Sequence, residues 1–139
     1  METVTVGRTY DVGAETLSAA IADVETFYDA AGFEVSREGT HLELVKRLAV
    51  ARFELEVRLR DDDAALSYEM VDGPFDAMET RYLVDGGDGE SRLTIETTFD
   101  APSSGFGTFI NGALIKRQRK SELDAAETML TERAGASEQ

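Results

Sequence analysis

The stretch RFELEVRLR, residues 52–60, alternates apolar and charged side chains at every step. Successive side chains of a β-strand point to opposite faces, so this pattern predicts a strand with one apolar face and one solvated face. The same alternation recurs at residues 66–70, 78–84 and 92–99, with turn-forming Asp, Gly and Pro residues between the segments. The sequence therefore predicts a meander of long antiparallel strands that is packed on one face only.

Shorter segments before this meander complete the predicted sheet. A first strand is expected at residues 3–12, and two short strands are expected around residues 33–37 and 41–47. Between the first strand and the second, apolar residues recur at helical spacing and Asp23 interrupts them, which predicts two short helices. The expected sheet therefore has about seven strands, and all but the first follow the two helices.

One long C-terminal helix is the expected cover for the apolar face. Pro102 ends the last strand, and a helical pattern continues to about Arg133. A helix of about 30 residues spans roughly 45 Å. Its apolar stripe breaks at residues 116–122, which read KRQRKSE, and resumes on a different side of the helical wheel. We expect the helix to bend or to change neighbours there, and any functional opening to lie beside the break.

The alternation also predicts which face of the sheet is buried. If each hairpin places its apolar residues on one face, Tyr68 lies near Val57 and Tyr82 lies near Leu93. A slip of one residue would bury the charged side chains of the same strands instead. The register is therefore strongly constrained, and the charged face is expected to remain in water.

The composition limits the size and class of the protein. With 139 residues, of which 42% are hydrophobic, the chain is expected to form one domain over residues 1–134, followed by a disordered tail at 135–139. It contains no cysteine, and no apolar run is long enough to cross a bilayer. No signal peptide is recognised, so we expect a cytoplasmic protein.

The charge balance is strongly acidic. There are 28 acidic and 14 basic residues, which give a net charge of −14, and lysine occurs only at positions 46, 116 and 120. Scattered acids with scarce lysine are expected on the surface of a protein from an extreme halophile, although a cationic partner is the alternative. Either interpretation makes a nucleic acid an unsuitable partner.

Three segments of the sequence carry a family resemblance. Residues 24–27 (VETF) join the two predicted helices, residues 68–82 include YE, GPF and TRY, and residues 115–119 (IKRQR) lie in the last helix. These segments and the order of elements resemble the START-like, or SRPBCC, superfamily, in its branch of polyketide cyclases/dehydrases and coenzyme Q-binding proteins. The resemblance covers nearly the whole chain. It implies an α+β helix-grip fold in which the C-terminal helix crosses the concave face of a curved antiparallel sheet.

The resemblance also implies a mostly apolar cavity between the sheet and the long helix. Its implied function is to bind or carry a lipid, an isoprenoid quinone or a polyketide-like aromatic. The expected ligand contacts are Phe53, Leu55, Tyr68, Met70, Met78, Thr80, Tyr82, Thr97, Phe106, Phe109, Ile110 and Arg117. The sequence leaves open whether the hydroxyl groups among them belong to the core or orient a ligand.

Arg117 is the charged member of this set. It falls on the same side of the helical wheel as Phe106 and Ala113, so it is placed to meet an anionic end of a ligand at the cavity mouth. The alternative is that the basic segment around Arg117 is a solvated helix surface whose long side chains extend into water.

No catalytic residue, metal site or cofactor is predicted. His41 is the only histidine and is expected at the surface. The acidic runs at residues 61–63 and 85–90 do not have EF-hand spacing and are expected to be solvated turns.

Three functions therefore remain open. The first is a binding protein for a hydrophobic small molecule, expected to be monomeric. The second is a cyclase or dehydrase in which Tyr68, Tyr82 or Arg117 polarises a carbonyl group. The third is an adaptor with a closed interior that binds another protein.

Overall fold

The helices and strands follow one another in the order that the sequence predicts. The structure is a computed structural model, and it describes residues 2–48, 51–73, 76–100 and 112–137. The elements in chain order are β1 (Glu2–Tyr10), α1 (Ala14–Ala22), α2 (Val24–Ala30), β2 (Glu34–Glu38), β3 (His41–Leu48), β4 (Ala51–Leu59), β5 (Leu66–Asp72), β6 (Ala77–Gly86), β7 (Ser91–Asp100) and α3 (Gly112–Ser137).

The strands form one antiparallel sheet of seven strands within the described residues, in the order β1-β7-β6-β5-β4-β3-β2. From β2 to β7 each strand pairs with the next one in sequence, and β1 closes the series by pairing with β7. The predicted meander is confirmed. One irregularity lies between β4 and β5, where Glu56 opposes Asp72 and Val57 opposes Met70. Val71 is thus the extra residue of a β-bulge.

The predicted faces are correct, but the predicted partners are shifted by two residues. Tyr82 opposes Ile95 rather than Leu93. On the neighbouring hairpin Tyr68 opposes Leu59. A shift of two residues leaves every side chain on its own face, so the hydrophobic pattern cannot distinguish the two registers. The turn lengths decide between them.

All three helices lie against the apolar face. Helix α1 contacts β6 and β7, α2 contacts β2, and α3 contacts β1, β7 and both other helices. On β1, Tyr10 donates a hydrogen bond from its hydroxyl to the carbonyl oxygen of Leu123 in α3, at 2.7 Å. The largest fully buried side chains include Tyr28, Tyr68, Tyr82, Phe27, Phe99, Leu17, Ile21, Leu42, Leu44, Leu93 and Ile95. The core therefore lies between one face of the sheet and the three helices.

The opposite face of the sheet carries charged residues in cross-strand pairs. Arg58 lies 3.2 Å from Glu69, and Arg60 lies 2.9 Å from Glu79. These side chains are about half exposed, so each pair contributes at most a few tenths of a kcal/mol. This face is solvated, as the alternation predicts.

Helix α3 is described from Gly112, and it includes the first three residues of the expected tail at 135–139. The start of the predicted helix, with Phe106, Phe109 and Ile110, lies outside the described residues. Among the helices that the structure describes, none combines the length and the apolar character that crossing a membrane requires.

Gly86 at the end of β6 provides a test of the β6–β7 turn. Its φ is +137°, and a Cβ there would lie 2.5 Å from the carbonyl oxygen of Glu90. We expect Gly86→Ala to lower the free energy of unfolding by about 2 kcal/mol, because the alanine is strained and also collides with backbone. Gly87 is the matched control, because a Cβ there would meet nothing within 4 Å. Urea denaturation that gives equal losses for the two variants would contradict this turn geometry.

Candidate ligand-binding site

Two buried charged residues occupy the break in the apolar stripe of α3. Arg119 is 4% exposed and Glu122 is 0% exposed. They are three residues apart on one helix, and Arg119 Nη1 lies 2.8 Å from Glu122 Oε2. Ile115, Leu123 and Ala126 are buried on the same side of α3. The buried stripe is therefore continuous in space, and an ion pair lies within it.

The guanidinium group of Arg119 donates hydrogen bonds from all three of its nitrogens. Its acceptors, between 2.7 and 3.0 Å away, are Tyr68 OH, Thr80 Oγ1, Tyr82 OH, Thr97 Oγ1 and both carboxylate oxygens of Glu122. A guanidinium group has five N–H donors, so five acceptor groups satisfy it. These groups come from β5, β6, β7 and α3, so this one side chain joins the long helix to three neighbouring strands.

Tyr82 extends the network to α2. Its hydroxyl donates to Glu122 in a very short contact and accepts from Tyr28 OH at 2.7 Å. Gln118 donates to the other carboxylate oxygen of Glu122 at 3.0 Å. We call this set the Arg119 network: Tyr28, Tyr68, Thr80, Tyr82, Thr97, Arg119 and Glu122.

Burial and charge pairing set the protonation of Tyr28, Tyr82 and Arg119 at neutral pH. It raises the pKa of the Tyr28 and Tyr82 hydroxyls well above the ordinary tyrosine value. Burial opposes the charge of Arg119, but Glu122 and the surrounding tyrosines outweigh it, and the pKa of the guanidinium is raised. The phenols therefore remain neutral and the arginine remains charged. In this arrangement the network holds α3 on the sheet and has no free N–H of Arg119 to offer a ligand.

The apolar face continues beyond this network toward β4. Leu55 on β4 and Met70 on β5 point to the same face as Val57 and Tyr68. Val57 and Tyr68 are fully buried, whereas Leu55 and Met70 are only partly buried by the described residues. The described residues thus cover the apolar face incompletely at β4 and β5.

The expected ligand contacts fall into four groups. The network contains Tyr68, Thr80, Tyr82 and Thr97, and Met78 is buried beside it at 6% exposure. Leu55 and Met70 form the partly buried apolar surface. Arg117 is exposed, and the inward side of this turn is taken by Arg119. The side chains of Phe53, Phe106, Phe109 and Ile110 lie outside the described residues.

Sequence reasoning missed Arg119, Glu122 and Tyr28. Two features of the sequence point to Arg119. The apolar face was expected to carry two threonine and two tyrosine hydroxyls, and buried hydroxyls need partners. Arg119 also precedes Leu123 by four residues and Ala126 by seven, which is the spacing of one helix face. A charged residue at a core position, opposite unpaired hydroxyls, predicts a buried network.

The outer face carries an acidic depression of about 170 Å³ at β3 and β4. It is lined by Glu43, Leu44, Val45, Glu54, Leu55, Glu56 and Asp72. His41 lies nearby on the same face, where its Nε2 contacts Glu56 closely. No group of three His, Cys, Asp or Glu side chains in the described ranges is arranged to hold a metal ion.

Comparison with solved structures identifies the fold. The chain is similar to TTHA0849 from Thermus thermophilus, with a TM-score of 0.71, 18% identity and coverage of 99% of this chain and 100% of that one. It is similar to the Zhui aromatase/cyclase from Streptomyces sp. R1128, with a TM-score of 0.70, 16% identity and coverage of 96% and 95%. It is also similar to a START superfamily protein from Mycobacterium smegmatis, with a TM-score of 0.65, 14% identity and coverage of 94% and 95%.

These similarities confirm the START-like helix-grip fold that the sequence predicts. No protein-family model matches the chain, and no curated protein matches it. At identities below one fifth, the likeness establishes the fold and leaves the function to be argued from the site itself.

The Arg119–Glu122 pair provides a test of the network. We expect Arg119→Met to lower the free energy of unfolding by about 3–5 kcal/mol, because it leaves Glu122 buried without its cation. Removing that charge as well, in Arg119→Met/Glu122→Gln, should recover a large part of the loss. Arg117→Met is the matched control on an exposed position of the same turn, and we expect it to change stability by less than about 0.5 kcal/mol. Urea denaturation measures all three, and equal effects of the two arginine substitutions would contradict the network.

The buried tyrosines predict a loss of stability in alkali. Burial raises the pKa of Tyr10 to about 12 and raises those of Tyr28 and Tyr82 well above the ordinary tyrosine value. An unfolded tyrosine ionises at about pH 10, so its stabilising contribution is complete below that pH and is lost as the pH rises through the folded-state pKa. We expect most tyrosinate absorbance to appear together with the loss of far-ultraviolet circular dichroism, above about pH 10. Complete ionisation with intact secondary structure would contradict the burial.

Proposed function

We propose that this protein binds a hydrophobic small molecule, such as a lipid, an isoprenoid quinone or a polyketide-like aromatic, between the sheet and the C-terminal helix. The observation that carries the proposal is the contrast along β4 and β5. Val57 and Tyr68 are buried at 0% and 1% exposure, whereas Leu55 and Met70, on the same face, are only partly buried.

The two partly buried side chains form one continuous surface. A Cβ built on Gly73 would lie 2.7 Å from Leu55 Cδ1 and 2.8 Å from Met70 Sδ, so both side chains lie against the same stretch of backbone. Contiguous apolar surface on the concave side of a sheet is the typical lining of a small-molecule site. Phe53 is two residues from Leu55 on β4. With Phe106, Phe109 and Ile110, it is proposed as the remaining wall.

The Arg119 network supports a binding role more than a catalytic one. A cyclase or dehydrase would need a phenol or a cation that can reach a substrate carbonyl. Tyr68 and Tyr82 are almost wholly buried, and both accept hydrogen bonds from Arg119. We therefore propose that Tyr68, Thr80, Tyr82 and Thr97 form a rigid floor beside the ligand, with Met78 packed into it. Arg117, which is exposed, is left at the rim.

Native mass spectrometry of the protein purified from its own host tests the proposal directly. We expect an additional mass that organic solvent extracts and that reappears when the extract is added back. The measurements should be made at both low and molar concentrations of potassium chloride. The chain has 28 acidic and 14 basic residues, and salt screens the repulsion between the excess carboxylates. A protein that is empty in both, and that binds no member of a lipid and quinone panel, would remove support for the binding function and favour the adaptor.

Substitution of Met70 locates the binding surface. We expect Met70→Gln, which keeps the side-chain length, to weaken the binding of a neutral apolar dye such as Nile red about tenfold, because the amide loses water without gaining a partner. Val71→Gln is the matched control, since this next residue on β5 is apolar and 45% exposed. Fluorescence titration measures both variants. Equal affinities would mean that the dye binds away from this surface.

A further inference from the structure

Lys46 is a cation on the otherwise apolar side of β3. It follows Leu42 and Leu44, which are fully buried, on the same face of that strand. Across the ladder it opposes Phe53, which is two residues from Leu55 on β4. Lys46 is therefore located where the proposed ligand surface meets α2 and α3.

The ammonium group of Lys46 is bonded only to neutral groups among the described residues. Nζ donates to the carbonyl oxygen of Ala31 at 2.9 Å and to Gln118 Oε1 at 2.5 Å. It also lies 5.2 Å from the centroid of the Phe33 ring, within cation–π distance. An ammonium group has three N–H donors, so these partners use two of them.

The other cations that reach the helix side of the sheet are paired with carboxylates. Arg119 is paired with Glu122, and Arg8 lies 2.7 Å from Asp124. Lys46 forms no such pair within the described ranges, and Glu122 reaches it only through Gln118, which bridges the two. A half-buried cation with a spare donor and no anionic partner is a site that an anion would complete.

We propose that Lys46 binds the carboxylate of an amphipathic ligand whose apolar part lies over β4 and β5. The inference rests on the proposed binding function and specifies its ligand as an apolar molecule with one anionic end. The third N–H of Lys46 donates to the carboxylate, while Ala31 and Gln118 hold the ammonium group in place. The apolar part then lies against Leu55 and Met70.

The desolvation of Lys46 agrees with this assignment. Burial lowers the pKa of the ammonium group, and the distant Glu122 opposes this only in part. A bound carboxylate offsets this lowering of the pKa, because an opposite charge at hydrogen-bond distance favours the charged form of lysine. A neutral ligand of the same length provides no such compensation.

The test compares two ligands that differ only at one end. Dodecanoate and its methyl ester are titrated as competitors of Nile red on the wild-type protein. We expect the acid to bind about tenfold more tightly than the ester. In Lys46→Gln, which keeps a hydrogen-bond donor but loses the charge, the acid should lose this advantage while the ester keeps its affinity. Lys46→Arg should retain the preference for the acid.

Lys120→Gln is the matched control, because Lys120 is an exposed lysine two residues from Gln118. We expect it to leave the preference of the wild type unchanged. If both ligands displace the dye equally from the wild type, the proposal that the ligand has an anionic end is refuted, whereas the proposed binding function is retained. If neither ligand nor dye binds, the binding function itself fails. If the acid is preferred but Lys120→Gln removes the preference as Lys46→Gln does, the preference reflects overall charge and the assignment to Lys46 is overturned.

Discussion

The ion pair between Arg119 and Glu122 is the constraint on which the interior depends. Removing two charges from water costs several kcal/mol for each ion, and that cost is offset only when good geometry and further hydrogen bonds satisfy both groups. Here the further bonds come from Tyr68, Thr80, Tyr82 and Thr97, so the pair is stable only while β5, β6, β7 and α3 keep their relative positions. An arrangement displaced by one residue would leave a buried charge without its partners. The pair therefore adds specificity to a core whose apolar contacts alone would tolerate small displacements of the helix.

The two tyrosines of the sheet connect this constraint to the remaining helices. Tyr82 receives a hydrogen bond from Tyr28 of α2, and its ring packs edge-on against Phe27 with centroids 5.7 Å apart. On the other side, Gln118 joins Glu122 to Lys46 on β3. A chain of hydrogen bonds thus runs from the interior to the surface proposed to hold the ligand. The polar groups of the Arg119 network are occupied by one another, whereas the apolar groups at Leu55 and Met70 are not fully covered by the described residues.

The fold could be predicted from the sequence because one-sided alternation constrains a sheet strongly. The strands, the two short helices and the buried face follow from side-chain periodicity, and a slip of one residue would have buried charge. The partners across the ladder could not be predicted, since a shift of two residues preserves the pattern and the turns decide it. The interior of the site was predicted only in part. The hydroxyls of Thr80 and Thr97 were expected on the apolar face, but the residues at 116–122 read as an interruption of the helix stripe. A helical wheel scores an arginine as polar wherever it lies, so Arg119 is recognised as a core residue only when its spacing to Leu123 and Ala126 is considered together with the hydroxyls expected opposite it.

The placement of the Arg119 network also has a consequence for how such a chain can diverge. The network involves β5, β6 and β7, while the proposed ligand surface is built on β3 and β4 with the outer end of β5. Under the proposed function, a substitution at Leu55 alters what is bound without touching the ion pair that holds the helix, whereas Lys46 is linked to that pair through Gln118. The network preserves the architecture, and the partly buried side chains on β4 and β5 lie outside it. In the proposed binding role, a scaffold with this division acquires new ligands by small steps, each of which leaves a folded protein.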